Sequence, residues 1–234
     1  TWAVPASIQP GTSRCSSILW DTWRIERGKI DPGRWYTGVH DANRDAIAPG
    51  KALDPGKYFI IVPDMFCNGL SSSTSNTAPR MTVADFLLLR PTTNVIAQQR
   101  LCIEKFGLDQ PRLVVGYSMS AQQAFYWEAL FPSMVRWIAP ICGSSKISTY
   151  NWLFLDCVKR GLAADAHWAG GGYTEPPEDG LRVFTMVYVS WVLSQTGYRK
   201  GVHLSLAGQN FGTMSEFLDF FHVILARHDV NDLL

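Results

Sequence analysis

Ser118 stands in the stretch RLVVGYSMSAQQAFYWEALF, with Gly116 two residues before it and Ser120 two residues after. A serine hydroxyl so placed has one characteristic chemistry, attack on an acyl carbon once a neighbouring base takes its proton. The apolar run climbs to Gly116 and a helix-forming segment begins at Met119. Ser118 therefore falls on a sharp strand-to-helix bend that lifts its Oγ above the sheet edge. Such a bend requires small residues on both sides, because larger ones collide with neighbouring backbone. Gly116 meets that need, and Ser120 is small although not glycine. The Met119 amide opens the helix and points at an oxyanion developing on the attacked carbonyl. The bare pentapeptide also suits an ordinary turn with a capping serine; the strand before it and the helix after it favour the nucleophile.

The hydroxyl needs a base, and the base an acid. The histidines after Ser118 are His167, His203, His222 and His228, and none follows a strand-like run. His222, in FLDFFHVILA, is read as a helix histidine, packed or partly exposed, beside Phe217, Leu218, Phe221 and Ile224. His228 falls at a helix end, where a cation meets the C-terminal dipole favourably. His40 precedes the serine and is read as a loop histidine lining a pocket. Asp64 is read as tying down the loop that follows it.

The elements that must position these groups are legible from residue 57 onward. KYFIIVP (57–63) reads as a buried strand and CNGLSSSTSNTAP (67–79) as a loop. TTNVIAQQRLCIEKFG (92–107) reads as a helix with Val95, Ile96, Leu101, Cys102, Ile103 and Phe106 on a broad buried face and Gly107 as its stop. RLVVGYS is a second strand. The helix after it ends at Pro132, and MVRWIAPICG (134–143) is a third strand. This alternation predicts a parallel sheet. Residues 1 to 30 show no sustained period and are expected to be irregular. No strand is expected after Gly143. STYNWLFLDCVKRGL reads as a helix, residues 168–180 as a loop and LRVFTMVYVSWVLSQTGYR as one long apolar helix. TMSEFLDFFHVILARH opens with Thr213 and Glu216 in capping-box spacing. The expected organisation is a partial sheet core over 1–143 and a helical lid over 144–234.

Composition narrows the partners. The 234 residues carry a net charge of +1, which favours neither nucleic acid nor an anionic membrane. The longest apolar run, VFTMVYVSWVL (183–193), is too short to span a bilayer. Five cysteines without a C-x-x-C spacing argue against a disulfide framework or a zinc site and for a reducing, cytoplasmic setting. No metal or bound cofactor is implied. The nine tryptophans are expected to fill the core.

YTGVHDANRDAIAPGKALDPGKYFIIVPDMFCNGLSSSTSNTAP, VVGYSMSAQQ and RWIAPICGSSK, in that order, resemble the homoserine O-acetyltransferase-like family of the α/β-hydrolase fold. The likeness runs from about Tyr36 to the end of the chain. It implies ping-pong acyl transfer from an acyl-CoA, through an acyl-serine at Ser118, to a small alcohol or amino-acid-like acceptor. It implies that the backbone amide of Tyr36, with that of Met119, forms the oxyanion hole. Thr37, Gly38, His40, Asn68 and Gly69 are expected to line the substrate. Homoserine acetyltransferases hold the acceptor carboxylate with an arginine on a lid helix, and Arg182 is the residue of that helix which offers itself.

The fold's chain order is serine, then acid, then histidine. ARHDVNDLL resembles the stretch where the family's lid returns to the core, so both partners of Ser118 are expected after Leu234. The expectation is a truncated α/β-hydrolase-type sheet, inactive by itself, with open sheet edges that favour self-association, possible as a homodimer. Two other readings stay open: a serine esterase on the same scaffold, and a non-catalytic remnant that binds a ligand or partner.

Overall fold

The computed structural model describes residues 16–20, 46–47, 49–54, 56–63, 65–67, 72–73, 90–206 and 208–233. The chain divides into two compact units, residues 1–72 with 88–146, and residues 73–87 with 147–234.

The first unit is built on parallel strands β1 (Ser16–Trp20), β2 (Phe59–Ile61), β3 (Leu113–Tyr117) and β4 (Ile138–Ile141), in the spatial order β2-β1-β3-β4. β1 lies opposite β2 on one side, Ser16 against Phe59, and opposite β3 on the other, Ile18 against Val114. Val114 against Ile138 sets the register of β4. β1 corrects the expectation that the first 30 residues are irregular. Ser-Ser-Ile-Leu-Trp is too short for any period to show, and its extended form is fixed by partners on both edges rather than by local preference.

Successive residues of β3 face opposite sides of the sheet. Val114 packs with Ile61, Val95, Cys102, Ala124, Trp127 and Val135 on one face. Its neighbour Val115 packs with Ile47 and Leu53 on the other. A sheet covered on both faces needs apolar residues at every position, which is why its strands read as unbroken apolar runs. The Val114 face is covered by α1 (Pro91–Phe106) and α2 (Met119–Leu130). Proline opens α1, where its missing N–H costs no helical bond. Gly107 closes it at φ 61, its amide returning to the Cys102 and Ile103 carbonyls, as the sequence predicts. Burial pushes the Cys102 thiol up to about 12, so this cysteine is an apolar filler rather than a nucleophile.

The second unit is mainly helical: α3 (Thr149–Ala163), α4 (Glu178–Val189), α5 (Gln195–Arg199) and α6 (Met214–Leu225). Val158, Leu162, Leu181, Phe184 and Val230 form its core. The Ser148 hydroxyl caps α3 by accepting from the Asn151 amide at 3.1 Å. Thr213 Oγ1 caps α6 by accepting from the Glu216 amide at 3.2 Å, and Glu216 reaches back to the Gly212 amide at 2.8 Å. That is the capping box expected from Thr213 and Glu216, with the return bond one residue upstream of the cap.

Two expectations are corrected here. Residues 181–199 are not one helix: α4 stops at Val189, and α5 restarts where Ser194 Oγ accepts from the Gly197 amide at 3.1 Å. The apolar run hides the break because it continues through it. A strand pair also exists after Gly143, β5 (Ser205–Leu206) against β6 (Gln209–Asn210). Each strand has two residues, below the length at which alternation can be read, and Gly208 at φ 72 turns the chain between them. The tryptophan expectation holds in part: Trp127 is fully buried, whereas Trp137, Trp152 and Trp191 are exposed.

Asp165 joins the end of α3 to the start of α4. Its carboxylate accepts from the Gly180 and His167 amides, each at 2.9 Å, and its side chain is 5 % exposed. The Gly180 amide first, then that of His167, hold this carboxyl below its ordinary value of 3.8. A carboxyl depressed in the folded state stabilises it fully above the unfolded value and loses that contribution as pH falls through the folded one. The urea midpoint of Asp165→Asn is therefore expected to change less than that of the parent between about pH 5 and about pH 2. Equal acid dependence in the two proteins would show that the carboxylate contributes nothing.

Candidate active site at the end of β3

Ser118 is exposed and sits at φ 55, ψ −117 between β3 and α2. Non-glycine residues occupy such backbone at a cost of about 1–3 kcal/mol, and persist there when the surroundings over-determine them. Here they do. The Ser118 amide donates to the Ile141 carbonyl on β4 at 2.9 Å, and its carbonyl accepts from the Ala121 amide at 3.0 Å. A Cβ on Gly116 would lie 2.1 Å from the Ser120 carbonyl oxygen and 2.7 Å from the Ala121 nitrogen. The small residue that the sequence demands before Ser118 is thus enforced by backbone that cannot yield. Ser120, the other small position, is buried.

Gly143 belongs to the same construction, although the sequence presents it only as the end of a strand. A Cβ there would lie 2.4 Å from the Ala121 methyl carbon and 2.8 Å from the Ser118 carbonyl oxygen. The sequence marks it only as a glycine after an apolar strand; the contact itself has no local signal. Met119 opens α2, so its amide has no acceptor within the helix, and the positive end of the helix dipole falls at Ser118. Cys67 after β2 and Cys142 after β4 also have left-handed backbone, φ 62 and φ 53. β3 and β4 are thus each followed directly by a non-glycine residue of positive φ, and β2 by one six residues on, beyond the carboxyl edge where open parallel sheets bind their ligands.

Several sequence-derived site residues, Tyr36, Thr37, Gly38, His40, Asn68 and Gly69, lie outside the described residues, as does Asp64. The remaining candidates fall in the helical unit. Arg182 lies 3.8 Å from Glu178 and 3.6 Å from Asp219, so its charge is met by two carboxylates of its own unit. His222 is buried on α6, with Nε2 2.7 Å from Glu178 and Nδ1 3.5 Å from the Thr185 hydroxyl. Of the two readings FLDFFHVILA leaves open, packed or partly exposed, the structure has the packed one. His203 packs between the rings of Tyr198 and Phe217. His167 is exposed beside Asp165, 3.1 Å away. His228 is exposed just past the end of α6.

The helical unit also holds an open cavity of about 290 Å³ lined by Met186, Val189, Ser190, Tyr198, Met214 and Leu218. Its walls are mostly apolar, and the Tyr198 hydroxyl is spent on the Val189 carbonyl. Among the described residues no group of three His, Cys, Asp or Glu side chains could hold a metal ion, and no helix is long and apolar enough to cross a membrane.

No family profile matches the chain. It is 35 % identical over 204 residues to an ethyl acetate hydrolase of Pseudomonas veronii, which covers 86 % of this chain and 58 % of that protein. It superposes on the crystal structure of the acetyl esterase MekB with a TM-score of 0.80 and 31 % identity, covering 99 % of this chain and 62 % of that one. It is 28 % identical over 220 residues to a homoserine O-acetyltransferase of Trichormus variabilis, covering 87 % of this chain and 57 % of that protein. The chain thus spans about three fifths of the length of each of these relatives. With its parallel sheet and helical second unit, the chain is of the α/β-hydrolase fold, with homologues among both acetyl esterases and homoserine O-acetyltransferases.

Proposed function

We propose that this chain supplies the nucleophile of a serine esterase that hydrolyses acetyl esters of short alcohols. The observation that carries the reading is the exposed, strained Ser118 between β3 and α2. In this reading Ser118 Oγ attacks the ester carbonyl and gives up its proton to a base. The carbonyl oxygen becomes an oxyanion that the Met119 amide stabilises, joined by the proposed amide of Tyr36. The alcohol leaves with that proton, and an acetyl-serine remains. Water, deprotonated by the same base, then attacks the acetyl carbon and releases acetate and free Ser118. We place the base and its acid in sequence that follows residue 234. Two facts support this: the relatives are longer than the matched region, and His222 and His167 each lie within hydrogen-bond reach of a carboxylate of the helical unit.

The sequence alone put acyl transfer from acyl-CoA first and ester hydrolysis second. The order is reversed here because the relatives above 30 % identity are named as hydrolases of acetyl esters. Acyl transfer remains the second reading, favoured by the homoserine O-acetyltransferase homologue. The chemistry differs only in whether water or an alcohol takes the acetyl group from Ser118. Titration of acid released from ethyl acetate, without any thioester, is expected to show turnover by the protein with its full natural sequence. Turnover confined to acetyl-CoA plus an added alcohol would replace hydrolysis with transfer.

A further inference from the structure

A chain of buried hydrogen bonds runs beneath the Ser118 turn. Trp127 on α2 is 0 % exposed, Gln123 on the same helix 1 %, and Gln98 on α1 5 %. The Trp127 indole donates to Gln98 Oε1 at 3.2 Å, and Gln98 Nε2 donates to Gln123 Oε1 at 2.9 Å. Gln123 Nε2 then donates to the thioether sulfur of Met65. The direction of the chain has no freedom. An indole N–H can only donate, which makes the Gln98 oxygen the acceptor at that end. A thioether can only accept, which makes the Gln123 amide nitrogen the donor at the other. Neither amide can flip without breaking two bonds in a buried setting, where an unmet polar group is costly.

What the chain joins matters more than its polarity. Met65 lies just past β2, and its neighbour Phe66 donates its amide to Asn94 Oδ1 on α1 at 2.9 Å. Cys67 follows with left-handed backbone, its amide bonded to the Ser72 carbonyl at 3.0 Å. Residues 65–67 thus leave the sheet at the same carboxyl edge as Ser118, with β1 between their two strands. Gln123 sits on the helix that starts at Ser118, so one side chain spans from the nucleophile's helix to the turn after β2.

We infer that Gln123 is a positioning residue, which holds the turn at Met65–Cys67 in register with Ser118. The inference rests on the esterase reading for its kinetic consequence but not for its structural one. The variants are Met65→Leu, which keeps volume and removes the sulfur, Gln123→Leu, and the two combined. Each single change is expected to lower kcat on ethyl acetate about tenfold, with KM changing about twofold or less, because small displacements at a reacting centre act on the transition state. The double variant is expected to match Gln123→Leu, since Met65→Leu removes only a bond that Gln123→Leu already lacks. Cys67 labelling by a thiol reagent, located by peptide mass spectrometry, is expected to quicken about tenfold in all three as the turn opens more often. Unchanged kcat in folded variants, additive losses in the double, or unchanged Cys67 labelling would each overturn the inference. Should the parent with its full natural sequence show no ester hydrolysis, the esterase reading fails and Cys67 labelling alone decides the role of Gln123.

Discussion

In the protein with its full natural sequence, and on the proposed esterase reading, Ser118→Ala is expected to lower kcat/KM for ethyl acetate by at least about 1,000-fold, because no acyl-serine could form and only binding and oxyanion stabilisation would remain. That factor corresponds to about 4 kcal/mol of lost transition-state stabilisation. The fold is not expected to suffer. The Ser118 side chain makes no capping bond to α2, and its backbone bonds to Ile141 and Ala121 involve atoms that alanine keeps. The urea midpoint should therefore match the parent's. Ser118→Gly separates the two roles further: at φ 55 glycine is unstrained, so the midpoint rises by about 1 kcal/mol while activity stays lost. Activity retained in Ser118→Ala would assign the chemistry to another residue.

Gly116→Ala has the largest expected effect on stability. A methyl group 2.1 Å from the Ser120 carbonyl oxygen meets main chain, not a side chain that could rotate away. Relief requires α2 to move off β3, which opens the packing of Ala124 and Trp127 against Val114. The cost is expected to exceed about 3 kcal/mol, in the range of backbone clashes and overpacked cores. Urea unfolding followed by tryptophan fluorescence measures it, with Trp127 as a buried reporter. Ser120→Gly, at a position where the sequence already tolerates a hydroxymethyl group, should leave the midpoint within about 1 kcal/mol. A Gly116→Ala protein with the parent's midpoint would mean that the turn is not built as described.

The comparison of these two positions shows what a sequence can and cannot announce. Gly116, Ser118 and the helix start at Met119 are neighbours in the chain, so one local pattern reports them together. The same holds for the Gly107 stop and the Thr213 cap, where the partner atoms lie within a turn. Gly143 does its work against Ser118 and Ala121, more than twenty residues earlier, and nothing beside it hints at that contact. Gln123 is likewise unremarkable on a helix until Gln98 and Met65 close around it. β1 is the extreme case: five residues become a strand only because two others flank them. The break between α4 and α5 fails for the opposite reason, since the apolar pattern there is too uniform to mark where it stops.

The place of β1 also sets an order of assembly. Ser16–Trp20 precedes both β2 and β3 in the chain, yet it lies between them in the sheet, and β3 comes from much later in the chain. During synthesis the edge of this segment that meets β3 has its partner only after β2 and α1 have emerged. A start codon or splice junction placed just beyond Trp20 would leave β2 and β3 facing each other across a missing rung, each offering a row of unmatched amides and carbonyls to any passing strand.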